Sequence, residues 1–258
     1  MAKECKPRIA AQLYTVRAFT QTEESIAETL RKVKEAGYDS VQISAFGKCG
    51  TDFLADVLAR NELTVCATHT PYERIVGDTE AVIAEHLRIG APCVGLGFRR
   101  VQSLAEGENF IKEMTPAAKK IRDAGLRFVY HNHQWEFIRL DGGITFMEYY
   151  LENTSAEEFG LLPDMYWLQY AGVSPAKFLL EHADRIDVIH LKDMQPDAES
   201  GVQKFCEVGE GNMDYADILS AAAKAGVRFA AVEQDDCYGK DPFDCLARSR
   251  KNLARMGY

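Results

Sequence analysis

The segment RDAGLRFVYH at residues 122–131 joins the end of a helical pattern to a short apolar run through one glycine. The same order occurs three more times, as KEAGYDSVQI at 34–43, LRIGAPCVGLG at 87–97 and AKAGVRFAAVE at 223–233. In each segment the glycine is placed to end a helix with a positive φ angle, which costs glycine little. These glycines are Gly37, Gly90, Gly125 and Gly226. The repeat predicts a chain that alternates between helices and strands.

Apolar runs elsewhere in the chain extend this alternation. Eight runs are predicted as strands, near residues 9–14, 40–44, 64–68, 93–97, 127–132, 159–163, 186–192 and 228–234. Helices are predicted in most of the intervals, including 79–89, 144–152, 175–182, 215–225 and 241–256. The strands are continuously apolar instead of alternating, which is typical of a parallel sheet that is buried on both faces.

Eight strand–helix units in 258 residues fit either a closed barrel or an open, doubly wound sheet. The open sheet usually has a GxGxxG turn after its first strand, whereas the residues that follow Tyr14 read TVRAFTQTEES. No linker, low-complexity tract or block of charge interrupts the pattern. We therefore predict an α/β fold with a single domain, a (β/α)8 barrel over residues 1–258.

The composition limits the partners of the protein. A formal net charge of −9 and scattered basic residues argue against a nucleic acid or an anionic membrane as a partner. The seven cysteines, at positions 5, 49, 66, 93, 206, 237 and 245, form no CxxC pair, which disfavours structural zinc. Cys66 and Cys93 lie within apolar strand patterns and are predicted to be buried thiols. Without a signal peptide or an apolar run of about 18 residues, we expect a reducing, cytoplasmic location.

Unusual polar residues occur where the predicted strands end, and in a (β/α)8 barrel these ends form the active site. They are Gln12, Tyr14, His69, His131, Asn132, His133, Glu136, Asp164, Trp167, His190, Lys192, Asp193, Glu233, Gln234 and Asp235. From the fifth strand to the eighth, each strand supplies a carboxylate or an imidazole. Carboxylates that face one cavity repel each other unless they are protonated or bind a cation. The mixed oxygen and nitrogen donors predict one divalent ion, and Mn²⁺, Mg²⁺, Co²⁺ or Zn²⁺ suits them better than Ca²⁺.

Six segments carry a family resemblance over nearly the whole chain. They are QLYTVR at 12–17, YHNHQWEF at 130–137, PDMYW at 163–167, HLKD at 190–193, VGEG at 208–211 and VEQD at 232–235. In these segments the chain resembles the xylose isomerase-like TIM-barrel superfamily, in its sugar phosphate isomerase/epimerase branch. The resemblance implies a metal held by Glu, Asp, His and Glu from strands five to eight. Residue by residue, these are Glu136, Asp164, His190 and Glu233.

Two positions depart from the pattern of the relatives. A relative with a glutamate at the tip of the fifth strand would align it with His131, whereas the nearest carboxylate in YHNHQWEF is Glu136. Both His131 and Glu136 are therefore candidates for the first metal ligand. Gln42 follows the second strand, where many relatives carry glutamate. This difference weakens any inference of the exact substrate from the relatives.

The resemblance implies an enzyme, a keto-sugar isomerase or epimerase, with Mn²⁺ as the first expectation for its metal. The metal would bind two adjacent oxygens of an α-hydroxy ketone and stabilise the enediolate formed by proton removal. Glu233 or His133 would move the proton on one face, with Glu136 on the opposite face, and Lys192 would bind the substrate or the enolate oxygen. The substrate-binding candidates are Gln12, Tyr14, His69, His131, Trp167 and Asp193.

Other functions share these features. Some relatives are lyases or dehydratases that act on oxidised cyclitols or 3-keto-glycosides through the same enolate. A metal-binding sugar sensor or a subunit of a complex would keep the metal without turnover. A nuclease of the endonuclease IV type shares the barrel, but it needs more metal ligands and a basic groove. The expected partner is a small sugar or keto-glycoside, and a homo-oligomer is compatible with the sequence. The VGEGNMD segment at 208–214 lacks phosphate-loop spacing and is interpreted as a tight turn before a helix.

Overall fold

Short parallel strands with mostly buried side chains form the centre of the fold. The computed structural model describes residues 6–258, so Cys5 lies outside the described residues. The strands are β1 (Arg8–Gln12), β2 (Ser40–Ile43), β3 (Thr64–Thr68), β4 (Cys93–Leu96), β5 (Arg127–His131), β6 (Gly160–Leu162), β7 (Val188–Leu191), β8 (Asp193–Pro196), β9 (Gln203–Cys206) and β10 (Phe229–Val232).

Helices connect the strands of the barrel. They are α1 (Glu23–Glu35), α2 (Thr51–Arg60), α3 (Tyr72–Gly77), α4 (Thr79–Ile89), α5 (Leu104–Asp123), α6 (Phe146–Asn153), α7 (Met165–Tyr170), α8 (Pro175–Glu181), α9 (Tyr215–Lys224) and α10 (Pro242–Arg255). Short 3₁₀ helices cover Leu13–Phe19, Gln134–Phe137 and Ala183–Arg185. No helix within residues 6–258 has the length and apolar character needed to cross a membrane.

Hydrogen bonds close the parallel strands into a barrel. One arc has the strand order β3-β2-β1-β10-β7, and the other has the order β4-β5-β6. A parallel bridge between Asp164 and His190 joins the end of β6 to β7. On the other side of the barrel, the Thr70 amide donates to the Gly95 carbonyl at 2.7 Å, which joins the end of β3 to β4. The predicted (β/α)8 barrel is therefore confirmed.

Two apolar cores support the barrel. The smaller core consists only of buried residues of the barrel strands: Ala10, Cys66, Ala67, Cys93, Val129, Leu162, Val188, Phe229 and Ala231. The larger core fills the space between the strands and the helices, with Leu30, Phe110 and Tyr150 among its buried members. Cys66 and Cys93 are free and buried, as predicted.

The glycines of the repeated segment take the expected conformation. Their φ angles are 93° at Gly37, 67° at Gly90, 79° at Gly125 and 75° at Gly226. Each glycine follows a helix by one or two residues, and the next strand starts within three residues. The left-handed turn therefore returns the chain from helix to strand, as the sequence predicts.

A hairpin outside the barrel was not predicted. β8 and β9 pair antiparallel with each other, with Asp193 opposite Cys206, and neither strand joins the barrel. The search for continuously apolar runs misses them because both strands are short, and most of their side chains are partly or fully exposed. The hairpin occupies much of the interval between β7 and α9, so it lies directly after the residues that end β7.

We expect Gly95→Ala to destabilise the barrel by at least about 2 kcal/mol, the scale of overpacking in a dense core. A Cβ atom at this position in β4 would lie 2.2 Å from the Thr68 carbonyl oxygen, so β3 and β4 would have to separate. Gly77→Ala is the matched control, because no atom lies within 4 Å of the Cβ that it would add. Equilibrium unfolding in urea should show a large loss for Gly95→Ala alone, and equal stabilities of the two variants would contradict the expectation.

Candidate metal and substrate site

A cavity of about 650 Å³ lies at the carboxyl ends of the barrel strands. All parallel strands point towards this end, so residues that end or follow seven of them converge there. The lining consists of Tyr14, Ser44, Ala45, His69, Thr70, Pro71, Tyr72, Glu73, Leu96, Gly97, Phe98, Arg99, His131, His133, Lys192, Glu233 and Asp235.

Four buried side chains form a cluster beside this cavity. His131 ends β5, Asp164 follows β6, His190 lies in β7 and Glu233 follows β10. Each offers one ligand atom, these atoms lie within 4.8 Å of one another, and no member is more than 4 % exposed. His131 Nε2 lies 3.3 Å from Asp164 Oδ2, and His190 Nδ1 lies 2.9 Å from Glu233 Oε2. Two imidazoles and two carboxylates can hold one divalent ion.

Two atoms of the cluster have no hydrogen-bond partner although both are buried. They are His190 Nδ1 and Glu233 Oε2. The atoms are 2.9 Å apart, but their orientation does not form a hydrogen bond. Glu233 Oε2 also lies 2.9 Å from Lys192 Nζ without hydrogen-bond geometry. Buried polar atoms without partners are costly, and a cation between the two atoms would satisfy both.

The two imidazoles are oriented by hydrogen bonds on their outer nitrogens. His190 Nε2 donates to Gln42 Oε1 at 2.7 Å, and His131 Nδ1 donates to the Gly97 carbonyl at 2.9 Å. A ring that donates through one nitrogen keeps the lone pair on the other when it is neutral, and this second nitrogen faces the cluster. Gln42, which departs from the glutamate of many relatives, therefore holds a candidate ligand in place.

The two carboxylates are fixed in the same way. Gln12 Nε2 donates to Glu233 Oε1 at 2.8 Å, and the Trp167 amide donates to Asp164 Oδ1 at 3.1 Å. The second bond forms because Asp164 caps the start of α7. In each carboxylate the other oxygen is left for the cluster. Gln12, predicted to bind substrate, is fully buried and acts on Glu233 instead.

Lys192 places a buried ammonium against the cluster. Its Nζ lies 3.1 Å from Asp164 Oδ2, 2.9 Å from Glu233 Oε2 and 2.9 Å from Asp235 Oδ1. Burial lowers the pKa of Lys192, but the three carboxylates outweigh burial and raise it well above its usual value. Burial raises the pKa of Asp164 and of Glu233, yet Lys192 and the neighbouring imidazoles hold both below the usual range. The ammonium therefore neutralises part of the negative charge when no metal is bound.

Glu136 was expected to be a metal ligand, but it lies outside the cluster. It belongs to the 3₁₀ helix Gln134–Phe137, which turns its carboxylate away from the cavity. Its Oε1 accepts from the Tyr130 hydroxyl at 2.8 Å, and its Oε2 accepts from the His133 amide at 2.7 Å. Burial raises the pKa of Glu136 to about 7. The structure therefore groups His131 with the other three residues, and Glu136 is not placed to move a proton on the opposite face.

Three other predicted site residues line the cavity: Tyr14, His69 and His133. Burial lowers the pKa of His69 well below its usual value and that of His133 to about 2, so both rings are neutral. Trp167 does not line the cavity itself, but its ring packs against that of His133 with a centroid separation of 5.6 Å. Trp167 therefore supports the ring of His133, and its direct sugar contact stays a prediction.

Asp193 has a structural role instead of the predicted substrate contact. Its carboxylate accepts hydrogen bonds from four backbone amides, at Met194, Gly209, Gly211 and Met213. A Cβ atom on Gly211 would lie 2.3 Å from Asp193 Oδ1, so the amide approach requires glycine there. The VGEGNMD segment is thus a turn that is held by Asp193 and leads into α9.

Several residues of the cavity wall, in loops and at the start of α3, were not identified as site residues from the sequence. They are Ser44, Thr70, Tyr72, Glu73, Phe98 and Arg99. Asp235, which the sequence analysis named from its place after the eighth barrel strand, also lines the cavity. The other residues lie in loops or at the start of α3, where no periodic pattern indicates which side chains reach the cavity.

The sequence of this chain is similar to those of known proteins. The xylose isomerase-like TIM barrel family matches residues 30–241. The rhizopine catabolism protein MocC of Rhizobium meliloti is 27 % identical over 166 residues, which cover 58 % of this chain and 50 % of that protein. An inosose dehydratase of Clostridium beijerinckii is 26 % identical over 166 residues, which cover 58 % of this chain and 52 % of that enzyme. The match thus spans about half the length of these relatives.

A solved structure is similar over almost the whole chain. It is that of a sugar phosphate isomerase/epimerase from Parabacteroides distasonis, with a TM-score of 0.80 and 19 % sequence identity. The likeness covers 98 % of this chain and 95 % of the other. At this level of identity it shows the fold.

Lys192→Met should destabilise the metal-free protein by about 3–5 kcal/mol, because it leaves buried carboxylates without their cation. Added Mn²⁺ should restore most of this loss and should bind more tightly than to the wild type, since the ammonium no longer repels it. Thermal unfolding and calorimetric titration with Mn²⁺ measure both effects. Lys177→Met is the control, because Lys177 pairs with Glu181 at an exposed position, so no buried carboxylate loses its cation. Wild-type stability and wild-type metal affinity in Lys192→Met would contradict this role.

His131→Ala should lower the affinity for Mn²⁺ at least about tenfold, whereas Glu136→Gln should change it only slightly. The reason is that His131 Nε2 lies in the cluster, while both Glu136 oxygens are occupied by Tyr130 and His133. Asp164→Ala should show the loss expected of a ligand and serves as the positive control. Calorimetric titration gives the ranking, and the reverse order would return Glu136 to the ligand set.

Proposed function

Because this chain belongs to the xylose isomerase-like TIM barrel family, we propose that it is a divalent-metal-dependent isomerase or epimerase of a keto-sugar. The observation that carries the proposal is the buried cluster of two imidazoles and two carboxylates beside the cavity. The cavity volume of about 650 Å³ is typical of a small-molecule site. The reaction begins with removal of a proton from the carbon next to a ketone.

The chain's own residues have distinct tasks in this step. A divalent ion in the cluster would polarise the ketone and stabilise the negative charge that develops on its oxygen. Lys192 donates a hydrogen bond to the same oxygen or to its neighbour. Glu233 or the neutral His133 accepts the proton. Trp167 holds the His133 ring, and Gln12 holds the Glu233 carboxylate.

Return of the proton requires a second group, and we assign this task to His69. Glu136 was expected to act there, but it does not line the cavity. His69 lines the cavity, and its ring lies 5.1 Å from that of His131 and 5.4 Å from that of His190. Its Nδ1 hydrogen-bonds the Ser44 hydroxyl at 3.1 Å, while its Nε2 has no partner among the described residues. When the Ser44 hydroxyl donates to Nδ1, the neutral ring carries its proton on Nε2, and it can pass this proton to the carbanion while Nδ1 takes the proton of Ser44, which solvent replaces.

Dehydration of an oxidised cyclitol or a 3-keto-glycoside is the second candidate. The similarity to inosose dehydratase favours it, and it needs the same first step. The carbanion electrons then form a double bond while the group on the β carbon leaves, taking a proton from a cavity acid. Lys192 is the ammonium closest to the cluster and is our candidate for that acid. A sugar sensor would bind metal and sugar without either reaction.

The donor atoms of the cluster influence which metal ion it prefers. Mn²⁺ was the expectation for three carboxylates and one imidazole. With His131 in the set, two of the four donors are nitrogens, and borderline ions such as Co²⁺ and Zn²⁺ gain relative to Mg²⁺. We therefore propose Mn²⁺, Co²⁺ or Zn²⁺ as the working ion, ahead of Mg²⁺.

A small molecule is the partner that we propose, in the cytoplasm and without nucleic acid. The net charge of −9 opposes a polyanionic partner. An endonuclease of the related barrel type would need ligands for several metals, and residues 6–258 provide a single group of four.

Deuterium incorporation next to the ketone tests the common step of both reactions. With Mn²⁺ in D₂O, the wild type should label a ketose or an oxidised cyclitol, and the product distinguishes isomerisation from dehydration. Glu233→Gln should slow labelling at least about 100-fold, as expected for the loss of an acid–base group. Glu207→Gln is the matched control, since this buried carboxylate pairs with Lys240 outside the cavity. Absence of labelling across ketoses, oxidised cyclitols and 3-keto-glycosides would reject the proposal.

A further inference from the structure

Two cations line the cavity, Lys192 and Arg99, and they differ in their partners. Lys192 contacts the carboxylates of Asp164, Glu233 and Asp235. The guanidinium of Arg99 forms no hydrogen bond or ion pair with any residue in the described range of 6–258. Of the two cations in the cavity wall, Arg99 is therefore the one whose charged group is available to bind a ligand.

Arg99 is nevertheless held in a defined position. Its guanidinium carbon lies 4.3 Å from the centroid of the Tyr72 ring. The Tyr72 hydroxyl donates to Glu113, which fixes this ring. At the backbone, the Arg99 carbonyl accepts from the Tyr130 hydroxyl at 2.9 Å. A cation that is stacked on a fixed ring loses little conformational freedom when it binds an anion.

Two other arginines show that stacking alone does not produce this arrangement. Arg17 lies over Tyr14 at 4.1 Å, but its guanidinium donates to the carbonyls of Tyr14 and Asp235. Arg100 lies over Trp135 at 4.4 Å but does not line the cavity. Arg99 alone among the three combines a free guanidinium with a place in the cavity wall.

The position of Arg99 relates it to the metal cluster. The Gly97 carbonyl accepts from His131, one of the candidate ligands, and Arg99 follows Gly97 by two residues. His131 and Glu233 of the cluster line the same cavity as Arg99. One small molecule can therefore contact both the cluster and the Arg99 guanidinium.

We infer that Arg99 binds a carboxylate on the substrate, so that the enzyme acts on sugar acids rather than neutral sugars. The inference rests on the proposed function, because it names the substrate class of the same site. A guanidinium offers two parallel donors that match one carboxylate. A phosphate dianion is less suited, because Arg99 is the one unpaired cation described in the lining and the exposed Glu73 carboxylate also lies there.

Calorimetric titration of the full chain with D-glucuronate, D-glucose and D-glucose 6-phosphate tests the inference, with Mn²⁺ and without it. The wild type should bind glucuronate at least about tenfold more tightly than glucose, equivalent to 1.4 kcal/mol. Arg99→Gln should abolish this preference, and Arg99→Lys should keep only part of it. Arg100→Gln, the matched control on the neighbouring ring, should retain it. Glu73→Gln should strengthen glucuronate binding.

Equal affinities for glucuronate and glucose in the wild type would overturn the inference, as would a preference that survives in Arg99→Gln. Tighter binding of glucose 6-phosphate than of glucuronate would reject the carboxylate assignment. These outcomes are separate from failure of the proposed function, which appears as absence of deuterium labelling. Binding of glucuronate through Arg99 without labelling would leave the subsite in place and reject the reaction.

Discussion

The burial of two carboxylates at the end of the barrel is the constraint that the rest of the site satisfies. Asp164 and Glu233 are almost without solvent contact, and unpaired carboxylates there would be strongly destabilising. Lys192 contacts both, while the imidazoles of His131 and His190 approach from other strands. The bridge between Asp164 and His190 also joins β6 to β7. Closing the barrel and assembling the cluster are therefore the same structural event.

Much of the fold could be predicted because local chemistry and overall topology agree in this chain. The helix-ending glycines and the apolar runs that follow them both reflect short-range constraints, which a sequence displays directly. The hairpin of β8 and β9 could not be found by the same reasoning. Its strands bury few side chains, so the pairing depends on neighbouring backbone instead of an apolar pattern.

The site was predictable to the extent that strand position fixes side-chain direction. Asp164, His190 and Glu233 end or follow barrel strands, and the structure brings their side chains together. Glu136 was misplaced because the 3₁₀ turn after β5 reverses the direction of its side chain, which spacing along the sequence does not reveal. Arg99 was not identified as a site residue because a loop and the Tyr72 ring, rather than a strand, determine where it points.

The hydrogen bonds that Asp193 accepts from backbone amides give it a different role from Lys192, the residue before it in the sequence. Lys192 points into the cavity, whereas the next side chain ties the backbone of residues 209–213 to the end of β7. The hairpin between these anchors pairs only with itself in the sheet, and its turn at residues 197–202 is almost entirely exposed. The turn is thus a tolerant insertion point, where a tag, a fluorophore or a longer loop can be accommodated while the position of Lys192 is preserved.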